Sequence, residues 1–231
     1  MKDILGKALL DYHLGYYTED IITWTNISDE DVLPLPHLFR SYNEMPTLEQ
    51  KALQLANGKI LDVGCGAGNH SLWLQQKGFD VKAIDISKGA IEVCKARGVK
   101  NVQLSNLLDE AGVFDTILLL MNGTGVFKKI EYLSLYLLHL KSLLSPGGQI
   151  LIDSSDIAYM YMDDDGGQWV DINRTYYGEL DYYLSYKGEN EDPLNWLYLD
   201  FETLKSACNI QNLTCEKIME GDHYDYLARI S

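Results

Sequence analysis

The stretch of sequence best suited to chemistry is a set of alternating glycines behind an acidic residue, in the segment Asp62-Val-Gly64-Cys65-Gly66-Ala-Gly68-Asn69. Glycines let the backbone turn sharply off a strand and approach a ligand with no Cβ in the way. The helical pattern that follows would point its free N–H groups and the positive end of its dipole at the same place. A glycine loop between a strand and a helix predicts a nucleotide-type site at the carboxyl end of a parallel sheet.

A second acidic residue occupies the matching position one strand later. Asp85 ends the apolar run Val81–Asp85, about 20 residues beyond the glycine loop, where an acid can accept hydrogen bonds from both ribose hydroxyls of a nucleotide. A polar strand end and a helix N-cap would also account for Asp62 and Asp85. Their occurrence in register favours ligand binding for both.

The glycine spacing distinguishes two kinds of nucleotide site. The dinucleotide fingerprint G-x-G-x-x-G requires glycine or alanine at position 69, which is Asn69 here. The pattern Asp-x-Gly-x-Gly-x-Gly instead resembles motif I of the class I S-adenosylmethionine-dependent methyltransferases. The resemblance covers about residues 58–155, includes the motif IV-like run Phe114–Thr124 and the L-x-P-G-G-like turn within Leu144–Asp153, and extends to the hairpin that closes the chain.

The resemblance implies which residues hold the cofactor. In that family the glycine loop wraps the methionine end of S-adenosylmethionine, and the acid before it, here Asp62, helps to hold the amino group. The acid after the second strand, here Asp85, binds the ribose, and Ile86 packs on the adenine.

The remaining implied contacts are weaker. Asn106 aligns with an acid that accepts from the adenine amino group; an asparagine oxygen can accept that bond, but a plain turn residue is an equal alternative. Leu107 can offer its backbone N–H to the ring, and Met121 lies where the chain leaves the fourth strand beside the transferred methyl. The predicted cofactor-binding residues are Asp62, Gly64, Cys65, Gly66, Gly68, Asp85, Ile86, Asn106, Leu107 and Met121.

The elements that must position these residues alternate between strand and helix. Strand patterns cover residues 59–63, 81–85, 102–104, 116–121 and 149–153, and helical patterns lie between them. This alternation predicts an α/β fold with a doubly wound, mostly parallel sheet. The resemblance implies seven strands in a Rossmann-like arrangement, with an antiparallel C-terminal strand.

Two regions flank that pattern. Residues 1–57 are predicted to be an N-terminal helical and irregular segment, either a lid or a satellite of the core, and residues 58–231 the methyltransferase domain with an inserted β-hairpin at about 176–200. Within the first region, Thr47 and Gln50 have the spacing of a capping box at a helix start. A tyrosine cluster after the fifth strand could either grip a flat acceptor or pack the inserted hairpin.

No residue is predicted to be catalytic. Because a sulfonium methyl is already activated, the protein must mainly align a nucleophile and exclude water, and a general base is needed only if the nucleophile must lose a proton. Asn122, Asp153 and Asp156 lie at productive strand ends, but turn formation and strand ending explain them as well. His70 fits packing better than a substrate contact. Asp163–Asp165 resembles a metal cluster only superficially, so no metal is predicted.

The composition and net charge limit the classes of binding partner that we expect. The 231 residues carry 34 acidic and 19 basic side chains, a net charge of −15, and residues 151–200 contribute −10 of it. Such a field repels phosphate backbones and anionic membranes, so neither nucleic acid nor a membrane is the expected partner. No signal peptide or spanning run is recognised, and the four cysteines form no CxxC pair, which favours reduced thiols in the cytoplasm. The oligomeric state is left open.

These observations predict methyl transfer from S-adenosylmethionine to a small-molecule acceptor, with release of S-adenosylhomocysteine. One alternative is a cofactor-binding, non-catalytic or regulatory protein. Another is a protein methyltransferase, because the acidic 151–200 segment could attract a basic partner. A nicotinamide-dependent oxidoreductase is disfavoured by Asn69 and by the absence of a Tyr-x-x-x-Lys pair at Tyr136, where the fourth residue on is Leu140.

Overall fold

Apolar runs become the central strands of a parallel sheet in the computed structural model, which describes residues 2–162 and 176–231. Three of these strands lie side by side: β3 (Lys59–Val63) and β6 (Phe114–Leu119), which are almost wholly buried, and β7 (Leu144–Ser155), which is buried mainly in its second half. β4 (Asp80–Asp85) and β5 (Val102–Leu104) extend the sheet on the β3 side.

The chain closes this sheet with a C-terminal hairpin. β11 (Cys215–Glu220) and β12 (Asp225–Ile230) complete a seven-stranded sheet of order β11-β12-β7-β6-β3-β4-β5. β12 runs antiparallel to both of its neighbours, whereas β3 to β7 are mutually parallel. The predicted doubly wound fold with an antiparallel C-terminal strand is confirmed.

Helices cover both faces of this large sheet. α2 (Thr47–Leu55) and α3 (Asn69–Gln76) pack on one face, against Ile60, Leu118 and Leu151. α5 (Leu133–Ser142) and α6 (Phe201–Ile210) pack on the other, against Leu61, Ile117 and Ile150. Neighbouring residues of one strand thus face opposite layers, as the pleat requires. α4 (Lys88–Arg97) follows β4. Within the described residues, no helix is long and apolar enough to cross a membrane.

A second, small antiparallel sheet joins two distant parts of the chain. β1 (Ile21–Thr25) and β2 (Ser28–Leu33) come from the N-terminal region, and β8 (Glu179–Tyr186), β9 (Glu189–Asn190) and β10 (Leu194–Leu197) come from beyond the fifth parallel strand. The order is β10-β8-β1-β2, with β9 also paired to β8. β8 and β10 lie in the interval for which a hairpin is predicted.

The N-terminal strands differ from the irregular segment expected there. β2 reads Ser-Asp-Glu-Asp-Val-Leu and is largely exposed. Acidic residues are depleted in strands, so the sequence gives no strand signal. β2 forms nonetheless because β1 supplies a partner, with Ile22 opposite Val32.

The start of α2 also differs from the prediction. Pro46 is the N-cap residue, no side chain caps the helix, and the Gln50 amide instead donates to the Met45 carbonyl at 2.8 Å. The capping box predicted at Thr47 is therefore wrong, because proline before it shifts the helix start by one residue. A capping box does occur nearby, between Ser41 and Glu44.

α1 (Ile4–Leu14) is wedged between the small sheet and α4. Asp3 accepts hydrogen bonds from the backbone N–H groups of Gly6 (3.2 Å) and Gly89 (2.9 Å). A Cβ on Gly89 would stand 2.4 Å from the Gly6 backbone, so glycine permits this close approach. The buried Glu191 carboxylate accepts from the N–H groups of Lys2 and Ile4. The helix is thus held from both sides.

Candidate functional site

The predicted cofactor residues meet at one edge of the large sheet. They follow the carboxyl ends of four adjacent strands, β5, β4, β3 and β6. The strand order reverses between β3 and β6, and ligands of doubly wound sheets bind outside such a reversal. The arrangement supports the predicted site, while the role of each residue stays a prediction.

The glycine loop after β3 adopts backbone angles that favour glycine. Gly64, Gly66 and Gly68 have φ of 71°, 52° and 84°, in the left-handed region that other residues rarely enter. A Cβ on Gly64 or Gly66 would meet open space, whereas one on Gly68 would lie 2.9 Å from the Cys94 sulfur. The first two glycines therefore border space that a ligand can fill, and the third allows the loop to pack on α4.

Asp85 fastens this loop to β4. Its Oδ2 accepts from the Gly66 N–H at 2.9 Å, and its Oδ1 accepts from the Ser87 N–H at 2.8 Å. Burial raises the pKa of this carboxyl, although both amides oppose the shift. Each carboxylate oxygen can accept more than one hydrogen bond, so Asp85 retains capacity for a ligand hydroxyl.

Two other residues of the motif are turned toward the protein. Asp62 is 2% exposed, and its Oδ2 accepts from the Ser71 hydroxyl at 2.6 Å. The Cys65 sulfur forms a hydrogen bond with the Cys94 sulfur at 3.7 Å. This bond and burial raise the pKa of the Cys65 thiol. The backbone of Cys65 is engaged as well, because its N–H donates to the Ile84 carbonyl at 3.1 Å and its carbonyl accepts from the Gly68 N–H at 2.8 Å.

The residues predicted beside the adenine differ in exposure. Ile86 directly follows β4 and is 54% exposed, as expected of an apolar side chain that packs on a flat ligand. Asn106 caps a short 3-10 turn, because its Oδ1 accepts from the Leu108 N–H at 3.0 Å. Leu107 has a buried side chain, and no hydrogen bond to its N–H is found among residues 2–162 and 176–231.

The chain leaves β6 in a turn with unusual backbone angles. Met121 and Asn122 both have positive φ, 66° and 59°, which non-glycine residues seldom adopt. The Met121 side chain is 40% exposed at the predicted cofactor edge. Asp153, at the end of β7, accepts from the N–H groups of Met121 and Gly123.

A buried charged triad behind the glycine loop was not predicted from the sequence. Glu49 of α2 bonds the Arg40 guanidinium with Oε1 and the His70 ring with Oε2, the latter at 2.7 Å. All three residues are buried. Burial alone would lower the pKa of His70, but Glu49 and Asp62 raise it; conversely, His70 and Arg40 lower the pKa of Glu49 against its burial.

One nitrogen of the Arg40 guanidinium group has no hydrogen-bond partner in the described structure. Its Nη1 donates to the His37 carbonyl at 2.5 Å, but its buried Nε finds no partner in the described structure. A buried unpaired donor is costly, so Arg40 Nε is a candidate contact for an acceptor atom of a ligand. Nothing in the sequence spacing could have signalled this group, since its members come from three separate segments.

The tyrosines after β7 are mostly engaged with carboxylates and carbonyls. The Tyr177 hydroxyl donates to Asp156 at 2.7 Å, and the Tyr176 hydroxyl donates to Asp200 at 2.5 Å. Burial is the main cause that raises the pKa of both hydroxyls. These contacts agree with the packing interpretation of the tyrosine cluster. Asp163–Asp165 lies outside the described residues.

A glycine loop at the reversal point of a doubly wound sheet defines a nucleotide-type α/β domain. The chain belongs to the methyltransferase domain family, whose model matches residues 38–214. It is 45% identical to a S-adenosylmethionine-dependent methyltransferase from Bacteroides fragilis, solved in complex with S-adenosyl-L-homocysteine. That similarity covers 100% of this chain and 94% of the other, with a TM-score of 0.93.

More distant relatives share only part of the chain. A ubiquinone biosynthesis O-methyltransferase of Rickettsia conorii is 29% identical over 113 residues, which are 46% of this chain and 38% of that protein. A ribosomal RNA small subunit methyltransferase C of Alcanivorax borkumensis is 32% identical over 75 residues, which are 30% of this chain and 23% of that protein. The chain thus spans less than half the length of these curated relatives.

Proposed function

We propose that this protein transfers a methyl group from S-adenosylmethionine to a small-molecule acceptor and releases S-adenosylhomocysteine. The observation that carries the proposal is the pairing of Asp85 with the glycine loop at the reversal point of the sheet. The S-adenosylhomocysteine complex of the Bacteroides fragilis relative supports the choice of cofactor.

The residues at this edge fit the cofactor. The space beside Gly64 and Gly66 is open where a side chain would stand. Asp85 suits the ribose hydroxyls, and Asp62, a buried carboxylate, suits the ammonium group of the methionine moiety. The buried Nε of Arg40, which has no partner in the described structure, suits an acceptor such as the carboxylate of that moiety.

S-adenosylmethionine supplies an activated methyl group on a positively charged sulfur. This chain's residues then bind the cofactor, orient it and shield it, because alignment and exclusion of water dominate such a transfer. No base is assigned to the reaction.

A small molecule is favoured over nucleic acid as the acceptor by charge. The net charge of −15 opposes a polyanion. The ribosomal RNA methyltransferase resembles only 30% of this chain. The acidic segment 151–200 would attract a basic protein, so a protein methyltransferase stays the alternative.

The first test is ligand binding by the purified protein. Thermal shift and calorimetry with S-adenosylmethionine, S-adenosylhomocysteine and NAD(H) should show binding of the two sulfur compounds only. A ligand at 100 times its dissociation constant stabilises the folded state by about 2.7 kcal/mol. Binding of NAD(H) alone, or of none of the three, would contradict the proposal.

A matched pair of variants locates the site. Asp85→Ala should weaken S-adenosylhomocysteine binding by about 1.5–3 kcal/mol, the contribution of hydrogen bonds to a charged group. Asp80→Ala is the control, because Asp80 is an exposed carboxylate at the other end of the same strand. Equal affinities in two folded variants would refute the ribose assignment.

Turnover separates an enzyme from a binding protein. Release of S-adenosylhomocysteine should be measured with pools of small amines, phenols and acids, and with RNA and a basic peptide as competing acceptor classes. Turnover on RNA alone would overturn the small-molecule proposal. Binding without turnover on any class would favour the non-catalytic alternative.

A further inference from the structure

The turn that follows β6 is held in a strained conformation at the edge proposed to bind the cofactor. Met121 and Asn122 are consecutive non-glycine residues in the left-handed region, which such residues avoid because Cβ crowds the following carbonyl. A strained turn persists only where its surroundings determine it, and such turns cluster at functional sites.

Asp153 is the group that determines this turn. Its Oδ2 accepts from the Met121 N–H at 3.1 Å, and its Oδ1 accepts from the Gly123 N–H at 2.9 Å. Both oxygens of one carboxylate are thus used to fix two backbone amides two residues apart. Gly123 is needed for this approach, since a Cβ there would lie 2.6 Å from Leu119 Cβ.

Hydrogen bonds between side chains support the same turn. The Ser154 hydroxyl bonds Asn122 Oδ1 at 3.0 Å and the Thr124 hydroxyl at 2.6 Å. The Thr124 hydroxyl also lies 2.9 Å from the Leu197 carbonyl, at the end of β10. The turn is therefore the point where the large sheet, through Asp153 and Ser154, meets the small sheet.

Burial at this position disfavours the ionised form of a carboxylate. Burial raises the pKa of Asp153 to about 6, although the amide donors of the turn oppose the shift. The titratable groups that face it are Glu49 of α2, Tyr198 after β10 and Tyr226 of β12. None of the three brings a positive charge, and Glu49 raises the pKa further. The ionised form is thus disfavoured by its surroundings, and its one evident use is to accept two backbone hydrogen bonds at once.

We propose that Asp153 is a positioning residue whose carboxylate holds the Met121–Gly123 turn in the conformation that binds the cofactor. Protonation adds an O–H donor to one oxygen and makes that oxygen a weaker acceptor, so the acid form holds one of the two amides less tightly. An asparagine has the same defect at any pH, because its NH2 group faces an N–H. The proposal rests on the cofactor site proposed above.

The experiment compares three proteins with S-adenosylhomocysteine as the probe. Asp153→Asn should raise the dissociation constant about tenfold at neutral pH, the loss expected for a hydrogen bond to a charged group. Asp115→Asn is the matched control. The Asp115 carboxylate also accepts from a backbone amide (Lys59) and from a hydroxyl (Ser145), but at the opposite end of the sheet, so its dissociation constant should stay within about twofold of the parent value.

The pH profile distinguishes positioning from a general structural effect. Between about pH 7.5 and about pH 5 the parent protein should lose affinity as Asp153 gains its proton. The Asp153→Asn variant should lack that part of the pH dependence, because asparagine does not titrate. The part that comes from other titrating groups should remain the same in both proteins. An unchanged dissociation constant in Asp153→Asn, or an identical pH profile in both proteins, would overturn the proposal.

A measurement on the parent protein decides the matter if the variant does not fold. The amide proton signals of Met121 and Gly123 should move together with a midpoint near the pKa of Asp153, about 6. Signals that do not move between about pH 7.5 and about pH 5 would overturn the proposal. Failure of the parent protein to bind S-adenosylhomocysteine would instead refute the cofactor site, and the amide titration would still report on the turn.

Discussion

The two sheets of this protein are built by opposite means. The large sheet consists of apolar strands whose parallel neighbours are linked by short connections and helices. The edge proposed to bind the cofactor consists of glycines and backbone amides, together with Asp85 and Asp153, whose carboxylates accept from those amides. The small sheet pairs strands from distant parts of the chain; Asp181 bonds Asn26 across 155 residues. Its interactions are largely those of aromatic side chains, such as Tyr182 with Trp196 at 5.7 Å between centroids.

This difference indicates a division of labour. A backbone-lined site suits a cofactor that does not vary, because main-chain geometry changes little with substitution. The contacts that tie each region to the rest of the fold are where the comparison can be tested.

The first joint is the buried triad, which ties the segment after β2 to α2 and α3, and its loss should have the largest effect. Glu49→Ala leaves the Arg40 guanidinium and the His70 ring buried without their shared partner, and removal of one member of a buried pair typically costs about 3–5 kcal/mol of unfolding free energy. Urea denaturation measures it. Glu92→Ala, on the exposed pair with Lys88, is the control and should change little. A loss in Glu49→Ala no larger than the control's would show that the triad does not stabilise the fold.

The contact between Gly125 and Trp196 is the second joint. A Cβ on Gly125 would stand 2.1 Å from Trp196 Cε2, so Gly125→Ala should destabilise the protein by about 1–3 kcal/mol through overpacking. The double variant Gly125→Ala, Trp196→Ala removes the clash, and the two effects should therefore not add. Additive free energies of unfolding would mean that β10 does not rest on this turn.

A smaller effect is expected within the small sheet alone. Trp24 and Tyr183 stack at 5.2 Å with an interplanar angle of 3°, on the face of β8 opposite Leu184 and Tyr186, which pack toward α1. A double-mutant cycle on this pair should give a coupling of about 0.5–1.5 kcal/mol. The dissociation constant of S-adenosylhomocysteine should not move, and a tenfold change would contradict the separation of roles.

The pH dependence of stability gives the finest test of the triad. The pKa of His70 is raised above 6.5 in the folded protein. Protonated His70 therefore contributes stability that is fully present below about pH 6.5 and is lost as the pH rises through the folded pKa. Denaturation curves of the parent and of His70→Ala should accordingly converge toward alkaline pH. A difference that grows with pH would reverse the sign and refute the pairing with Glu49.

The sequence predicted the large sheet and its edge because both depend on local pattern. Apolar runs mark β3, β4 and β6, and glycines with carboxylates at fixed spacing mark the loop. The sequence did not predict β2, whose charged residues become a strand only beside β1. It did not predict the partnership of Arg40 with Glu49 and His70, since contacts between separate segments leave no spacing to read. The error at Thr47 has a local cause, the proline that starts the helix.

The strands of the small sheet are far apart in the sequence, so they are synthesised at different times. β1 and β2 are synthesised first, but their partner β8 follows about 155 residues later, roughly 10–30 s at common rates of synthesis. During that interval the hairpin presents open strand edges, which invite pairing with other chains. The acidic residues of β2, Asp29, Glu30 and Asp31, place like charges along one of those edges. Charged side chains on an edge strand disfavour such pairing, so these acidic residues would oppose aggregation of the nascent chain.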